Sequence, residues 1–161
     1  MVRSWNDALS RRWALLPLRI VVGIGFIAHG LAKWSRGPEN FGRLLSYLGV
    51  PLPATTAWVV TLLEVFGGLA ILIGAFVTIV SIPLIVSTLV AMFTIQLRYG
   101  FSSVNTTGLT ATGPTFGPPG YEINLLYVAA LLALMFTGSS ALSMDDWFAH
   151  RRRRTRPSVV S

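Results

Sequence analysis

The sequence predicts an all-α integral membrane protein: a four-helix bundle with the N- and C-termini cytoplasmic. Three observations carry this. Apolar residues make up 53% of the 161 residues and charged ones 12%, where a soluble domain has about a quarter charged. The apolar residues fall into long runs. The runs are of the length that crosses a ~30 Å hydrocarbon core at ~1.5 Å per residue.

The elements follow in order. Residues 1–13 are polar and basic, with Arg3, Arg11 and Arg12. The first span is expected at about residues 14–34. It is too long for a cleaved leader, and no A-x-A site follows it. In the next loop, Phe41, Leu44, Leu45 and Leu48 recur at helical spacing, which predicts a short helix lying in the membrane surface. Gly49, Pro51 and Pro53 end it. Two spans follow at about residues 57–75 and 78–97, with Gly74 at the tight turn between them. Pro83 is tolerable there because neighbouring groups satisfy the freed carbonyl. Residues 100–120, rich in Gly, Thr, Ser and Pro, predict an ordered or semi-ordered cap over the bundle. The fourth span is expected at about residues 121–137, and a brief surface helix at about 143–149. Residues 1–150 form one domain; 151–161 are a basic cytoplasmic tail expected to be disordered.

Orientation comes from charge. Four spans place both termini on one side, with Arg3, Arg11, Arg12, Arg151, Arg152, Arg153, Arg154 and Arg156. The other side holds Lys33, Arg36, Arg43 and Arg98. The positive-inside rule then makes the termini cytoplasmic. Trp5, Trp13 and Trp147 would mark the inner surface; Trp34, Tyr47, Trp58, Tyr99 and Tyr121 the outer one.

The net charge of +7 is concentrated in the arginine tail. On a membrane protein this is a topology signal and a contact for anionic lipid head groups, not a nucleic-acid surface. Cysteine is absent, which excludes disulfides, thiol relays and cysteine-ligated clusters.

Ionisable side chains inside spans cost ~2.5–3.5 kcal/mol at a helix centre, so they turn inward and find partners. They are Arg19, His29 and Lys33 on the first span, Glu64 on the second, Gln96 and Arg98 ending the third, and Glu122 opening the fourth. All except Arg19 fall in the outer half. At about 100° per residue, Arg19, His29 and Lys33 share an arc of roughly 80°, with Gly23 and Gly30 on or beside it. Glu64 shares a face with Gly67, Gly68 and Ile71, and Glu122 one with Ala129 and Ala133. Small residues let helices approach closely in lipid, so the three faces are expected to meet.

Two readings of this cluster stay open. One is an internal ion-pair network: His29 with Glu64, and Arg98 or Lys33 with Glu122. The other is a pocket in the outer half that binds a quinone or similar ligand. His29 and Glu64 would then be the catalytic proton carriers, with Arg19, Lys33, Gln96, Arg98 and Glu122 binding the ligand. His29 and His150 sit at opposite surfaces, which disfavours haem, and no spacing motif predicts a metal site.

Several motifs together resemble the DoxX family. They are Leu18-Arg19 with Gly23, Phe26 and His29-Gly30-x-x-Lys33; Leu48-Gly49-Val50-Pro51; Glu64-x-x-Gly67-Gly68 with Gly74; Phe116-Gly117-Pro118-Pro119-Gly120-Tyr121-Glu122; and Leu142-Ser143-Met144-Asp145. The resemblance covers about residues 15–148. It implies a four-helix protein of the bacterial inner membrane. Some such proteins are tied to a thiosulfate:quinone oxidoreductase, and others are membrane partners of superoxide- and thiol-handling enzymes. His29, Lys33, Glu64 and Glu122 match the family's polar signature. The absence of cysteine leaves a sulfur-relay role for this chain unsupported.

The resulting expectation is a redox-associated inner-membrane protein with a quinone pocket; if an enzyme, a subunit of a quinone-linked oxidoreductase. The alternative is a non-catalytic scaffold that recruits oxidative-stress or sulfur-metabolism enzymes through its loops or basic tail. A small transporter is disfavoured because no inverted repeat or broken helix pair is visible.

Overall fold

The computed structural model describes residues 2–137 and residue 143. Helix α1 spans Val2–Arg36, α2 Pro38–Tyr47, α3 Pro53–Ile73, α4 Val77–Ala91 and α5 Glu122–Thr137. A π-helical turn, Met92–Gln96, and a 3-10 turn, Leu97–Tyr99, continue α4. Strands β1 (Thr106–Thr110) and β2 (Gly113–Phe116) pair antiparallel. The expected surface helix at 143–149 and the arginine tail lie outside the described residues, save Ser143.

Three helical segments are long and apolar enough to cross a membrane: Trp13–Arg36, Pro53–Ile73 and Val77–Tyr99. Helix α5 is apolar but has 16 residues, a rise of about 24 Å. Large apolar side chains such as Val21, Phe66, Ile79 and Phe136 point outward. An apolar exterior of this extent is the surface of a protein whose solvent is lipid.

Proline and glycine set the breaks. Pro17 lies inside α1; it can leave only the Trp13 carbonyl without its helical partner, and Trp13 stands at the start of the apolar segment. Helix α2 ends in a Schellman motif: Val50 N–H donates to the Leu45 carbonyl at 2.9 Å and Gly49 N–H to Ser46 at 3.1 Å. The turn between α3 and α4 repeats it, with Ala75 N–H on Ala70 at 2.9 Å and Gly74 N–H on Ile71 at 3.1 Å. Gly49 and Gly74 both take left-handed φ, +73° and +71°, which only glycine adopts at no steric cost.

The tightest packing is between α1 and α3, which run antiparallel. A Cβ added at Gly68 would lie 2.8 Å from the Gly23 carbonyl oxygen and from the Ile27 nitrogen. One added at Gly30 would lie 2.8 Å from the Val65 nitrogen. The two backbones therefore touch through glycines, as helices do where lipid supplies no hydrophobic drive. Further along, Trp34 meets Trp58 edge to face at 5.9 Å. The buried core comprises Val22, Phe26, Ile71, Val77, Leu84, Leu131 and Leu134. Thr61 and Ser81, both fully buried, spend their hydroxyls on the Ala57 and Val77 carbonyls of their own helices, each at 2.7 Å.

Helix α5 presents a different face from the one expected. Asn124, Leu131 and Leu134 are buried, whereas Ala129 and Ala133 are exposed. The larger side chains fill the bundle, and the alanines face outward. Helix α5 packs on α4 and touches α1 only lightly.

The segment between α4 and α5 contains the hairpin. Its two ends are laced together: Gly120 N–H donates to Ser102, Tyr121 N–H to Gly100 and Glu122 N–H to Phe101, each at 3.0 Å. Gly120 is buried against the Gly100, Phe101 and Ser102 carbonyls, where no Cβ would fit. The hairpin itself stands exposed, with Leu109 84% accessible.

Candidate functional site

Gly30 determines what Glu64 meets. Its missing side chain brings α1 onto α3 at Val65 and Glu64. Lys33, one turn further along α1, then reaches the Glu64 carboxylate, and the two form an ion pair. Glu64 is 7% exposed. The same ammonium stands 5.1 Å from the centroid of the Phe41 ring on α2. Helix α2 thus reaches the ion pair through one cation–π contact.

His29, one turn before Lys33 on the same face of α1, is exposed. Its imidazole meets the Tyr127 ring edge-on at 6.2 Å. Tyr127 also packs edge-on against Phe26 at 5.1 Å, and its hydroxyl lies directly over Gly25. Only a glycine at position 25 leaves space for that phenol.

These side chains line a cleft of about 660 Å³ between α1 and α5, floored by α4. One end is polar, with His29, Lys33, Glu64 and Gln96. The other is apolar, walled by Leu18, Val21, Val22 and Ala130. Pro119 and Gly120 close over it from the loop. The π turn contributes Gln96: it widens the last turn of the third span by one residue and so redirects the side chains that follow. Asn124 Nδ2 donates to the Thr88 carbonyl at 3.4 Å, holding α5 to α4 at the wall.

Of the seven residues singled out in the sequence, four therefore line one cleft: His29, Lys33, Glu64 and Gln96. The other three lie apart. Glu122 accepts the Ser103 backbone N–H at 3.0 Å and so clamps the loop onto the start of α5. Arg98 is exposed, its guanidinium 4.9 Å from the Tyr99 ring centroid. Arg19 is 3% exposed at the middle of α1, with its guanidinium beside the Gly74 turn and Ser143. A cation there suits the negative end of α3. The partners also differ from those expected: Glu64 pairs with Lys33 rather than His29, and Glu122 meets backbone rather than Lys33 or Arg98. Angular position alone does not fix how far one helix slides along another, and that offset chooses Lys33.

The sequence reading does not single out Tyr127 or Asn124, although both line the cleft. A hydroxyl and a carboxamide within an otherwise apolar run were the available signal.

Comparison with known proteins agrees with this architecture. The DoxX family model matches residues 14–97, just over half of the chain. The chain belongs to the DoxX family. Among curated DoxX-like relatives, the Bacillus subtilis (strain 168) protein named "Putative oxidoreductase CatD" is 29% identical over 132 residues, covering 82% of this chain and 84% of that protein. An uncharacterized protein of Haemophilus influenzae is 27% identical over 140 residues, covering 86% of this chain and 92% of its own. No solved structure gives a significant match. The matched stretch runs from within α1 through α4 and the π turn, and so contains His29, Lys33, Glu64 and Gln96. It is a DoxX membrane protein with an amphiphilic cleft at its side.

Proposed function

We propose that this DoxX protein is the membrane component of a redox system in a bacterial inner membrane and holds a quinone in the cleft between α1 and α5. Helix α5 is the fourth span, both termini are cytoplasmic, and the polar end of the cleft lies in the outer half of the bilayer. The observation that carries the reading is the polarity of the cleft along its length. A quinone has a polar ring and an apolar tail; the cleft has a polar end at His29, Lys33, Glu64 and Gln96 and an apolar wall at Leu18, Val21 and Val22. The oxidoreductase name of the Bacillus subtilis relative points the same way.

A bound quinone would supply two-electron, two-proton chemistry. The chain's own contribution is positional. His29 is exposed at the polar end of the cleft, where an imidazole can pass a proton between water and a bound ligand. Lys33 pairs with the Glu64 carboxylate and fixes its position at the ring end. Phe26 and Tyr127 present aromatic surface to the ring. The test is thermal stability of purified protein in detergent with a short-chain quinone. Stabilisation that saturates, and is lost in Glu64→Gln, supports the reading; no stabilisation at any concentration contradicts it.

A second reading rests on the hairpin. It is exposed and carries no charged residue, and Leu109 and Phe116 point outward. This favours the scaffold role, in which loop and tail recruit enzymes of oxidative-stress or sulfur metabolism. Replacing residues 106–116 by a short glycine-serine linker would then remove co-purifying protein while the melting temperature stays unchanged. Deleting residues 149–161 tests the tail in the same way.

A further inference from the structure

The hairpin between α4 and α5 is amphipathic. Leu109 pairs with Pro114, Gly108 with Thr115 and Thr106 with Phe116. Side chains alternate along a strand, so Leu109, Pro114 and Phe116 share one face. Thr107, Thr110 and Thr115 lie on the other, where the Thr107 and Thr115 hydroxyls stand 3.3 Å apart. The threonine hydroxyls are used within the hairpin: Thr107 Oγ1 donates to the Thr115 carbonyl at 3.2 Å and Thr110 Oγ1 to the Gly113 carbonyl at 2.8 Å. Among the described residues nothing covers the apolar face. Leu109 is 84% and Phe116 62% accessible, and Pro114 is exposed. Such a face gains free energy by leaving water.

Where the hairpin is rooted says what covers it. The third apolar segment ends at Tyr99 and α5 begins at Glu122. The bonds from Gly120, Tyr121 and Glu122 to Ser102, Gly100 and Phe101 close the base of the loop at that level. The hairpin therefore springs from the point at which the helices leave lipid. No residue between Arg98 and Glu122 is charged, so nothing in the loop opposes contact with a bilayer. The chain leading to it carries Phe93, Leu97, Phe101 and Val104, all exposed, so the lipid-facing surface continues into the loop. A protein fits this face less well. Three side chains are far fewer than the roughly 20–30 residues a side of a stable interface. Strand β2 has four residues, one of them Pro114, and a short edge with a proline resists strand addition. We infer that the apolar face of the hairpin rests on the lipid bilayer, with Leu109 and Phe116 seated among head groups and upper acyl chains. The threonine face is then turned to water and to any soluble partner.

This reading is independent of what the cleft binds. The absence of native cysteine allows a single nitroxide label to be placed at will. The experiment uses the full chain in phosphatidylcholine vesicles, labelled through Leu109→Cys, Phe116→Cys or Thr115→Cys. Collision rates are measured with oxygen, which concentrates in lipid, and with a water-soluble nickel chelate. Labels at 109 and 116 should favour oxygen over nickel several-fold more than the label at 115. Equal nickel access at all three positions would show a hairpin standing in water and overturn the inference. Dipolar broadening between labels at 109 would place a second copy on this face and overturn it as well. So would shielding from nickel at 109 that appears in native membranes and is lost in the purified vesicles, because the cover would then be another protein. All three positions are exposed, and an unchanged melting temperature confirms that each labelled chain is folded.

Discussion

Lys33 and Glu64 form an ion pair across the α1–α3 contact, and Gly30 makes it possible by letting α1 lie directly on Val65. The pair stands at the polar end of the cleft and also touches Phe41 of α2. Its removal is thus expected to register in both stability and binding.

Glu64→Ala leaves the Lys33 ammonium without its counter-charge. We expect a loss of about 2–3 kcal/mol, toward the low side for a broken buried pair because Lys33 is partly exposed. Glu39→Ala, at an exposed position of α2, should change stability by less than about 0.5 kcal/mol. The double change Lys33→Met, Glu64→Leu should recover most of the loss, since an apolar pair of similar volume carries no desolvation cost. Melting in detergent compares all four proteins; a double variant as unstable as Glu64→Ala would show that the charge pair is not the cause.

Phe41→Leu tests the link to α2. Loss of the cation–π contact should cost about 0.5–1 kcal/mol. Combined with Lys33→Met, the two effects should be less than additive, and a double-mutant cycle reads the difference. Full additivity would mean the ring and the ammonium do not act on each other.

The glycine contact between α1 and α3 predicts a sharp contrast. Gly68→Ala would place its Cβ within 2.8 Å of backbone atoms of Gly23 and Ile27, and overpacking of this kind costs about 1–3 kcal/mol. Gly42→Ala on α2 meets nothing closer than 3.6 Å and should be neutral or stabilising by up to about 1 kcal/mol through helix propensity. Similar melting temperatures for the two variants would contradict backbone-to-backbone packing.

At Gly25 the conflict is with the mobile end of a side chain. A Cβ there strikes the Tyr127 hydroxyl, so the ring must swing. Gly25→Ala should cost less than about 1 kcal/mol in stability yet alter the cleft, whereas Tyr127→Phe removes only the hydroxyl. We expect ligand affinity to fall several-fold in Gly25→Ala and little in Tyr127→Phe. Equal affinity in wild type and Gly25→Ala would show that Tyr127 does not shape the cleft.

Much of this architecture is legible in the residues, for physical reasons. Long apolar runs announce three spans because no soluble fold needs them. The spacing of Phe41, Leu44, Leu45 and Leu48 announces α2, and Gly49 and Gly74 announce its end and the α3–α4 turn, because their left-handed φ leaves few alternatives. The helix-to-helix offset is not legible, and so neither is the choice of Lys33 over His29 as the partner of Glu64. The π turn leaves no trace either: Met92 to Gln96 reads as ordinary helix, although that turn redirects Gln96. The hairpin had a weak signal in its repeated threonines, Thr106, Thr107, Thr110 and Thr115, with Thr112-Gly113 at the turn. The glycines and prolines around it conceal the pattern.

The account depends most on the cleft holding an amphiphile with its head beside Gln96 and His29. A density map of the protein purified in native lipid tests that directly. The account predicts a ring-sized feature beside His29 and the Lys33–Glu64 pair, with a tail running past Val22 and Leu18. A cleft closed by α5 settling onto α1, or filled only by acyl chains, would contradict it.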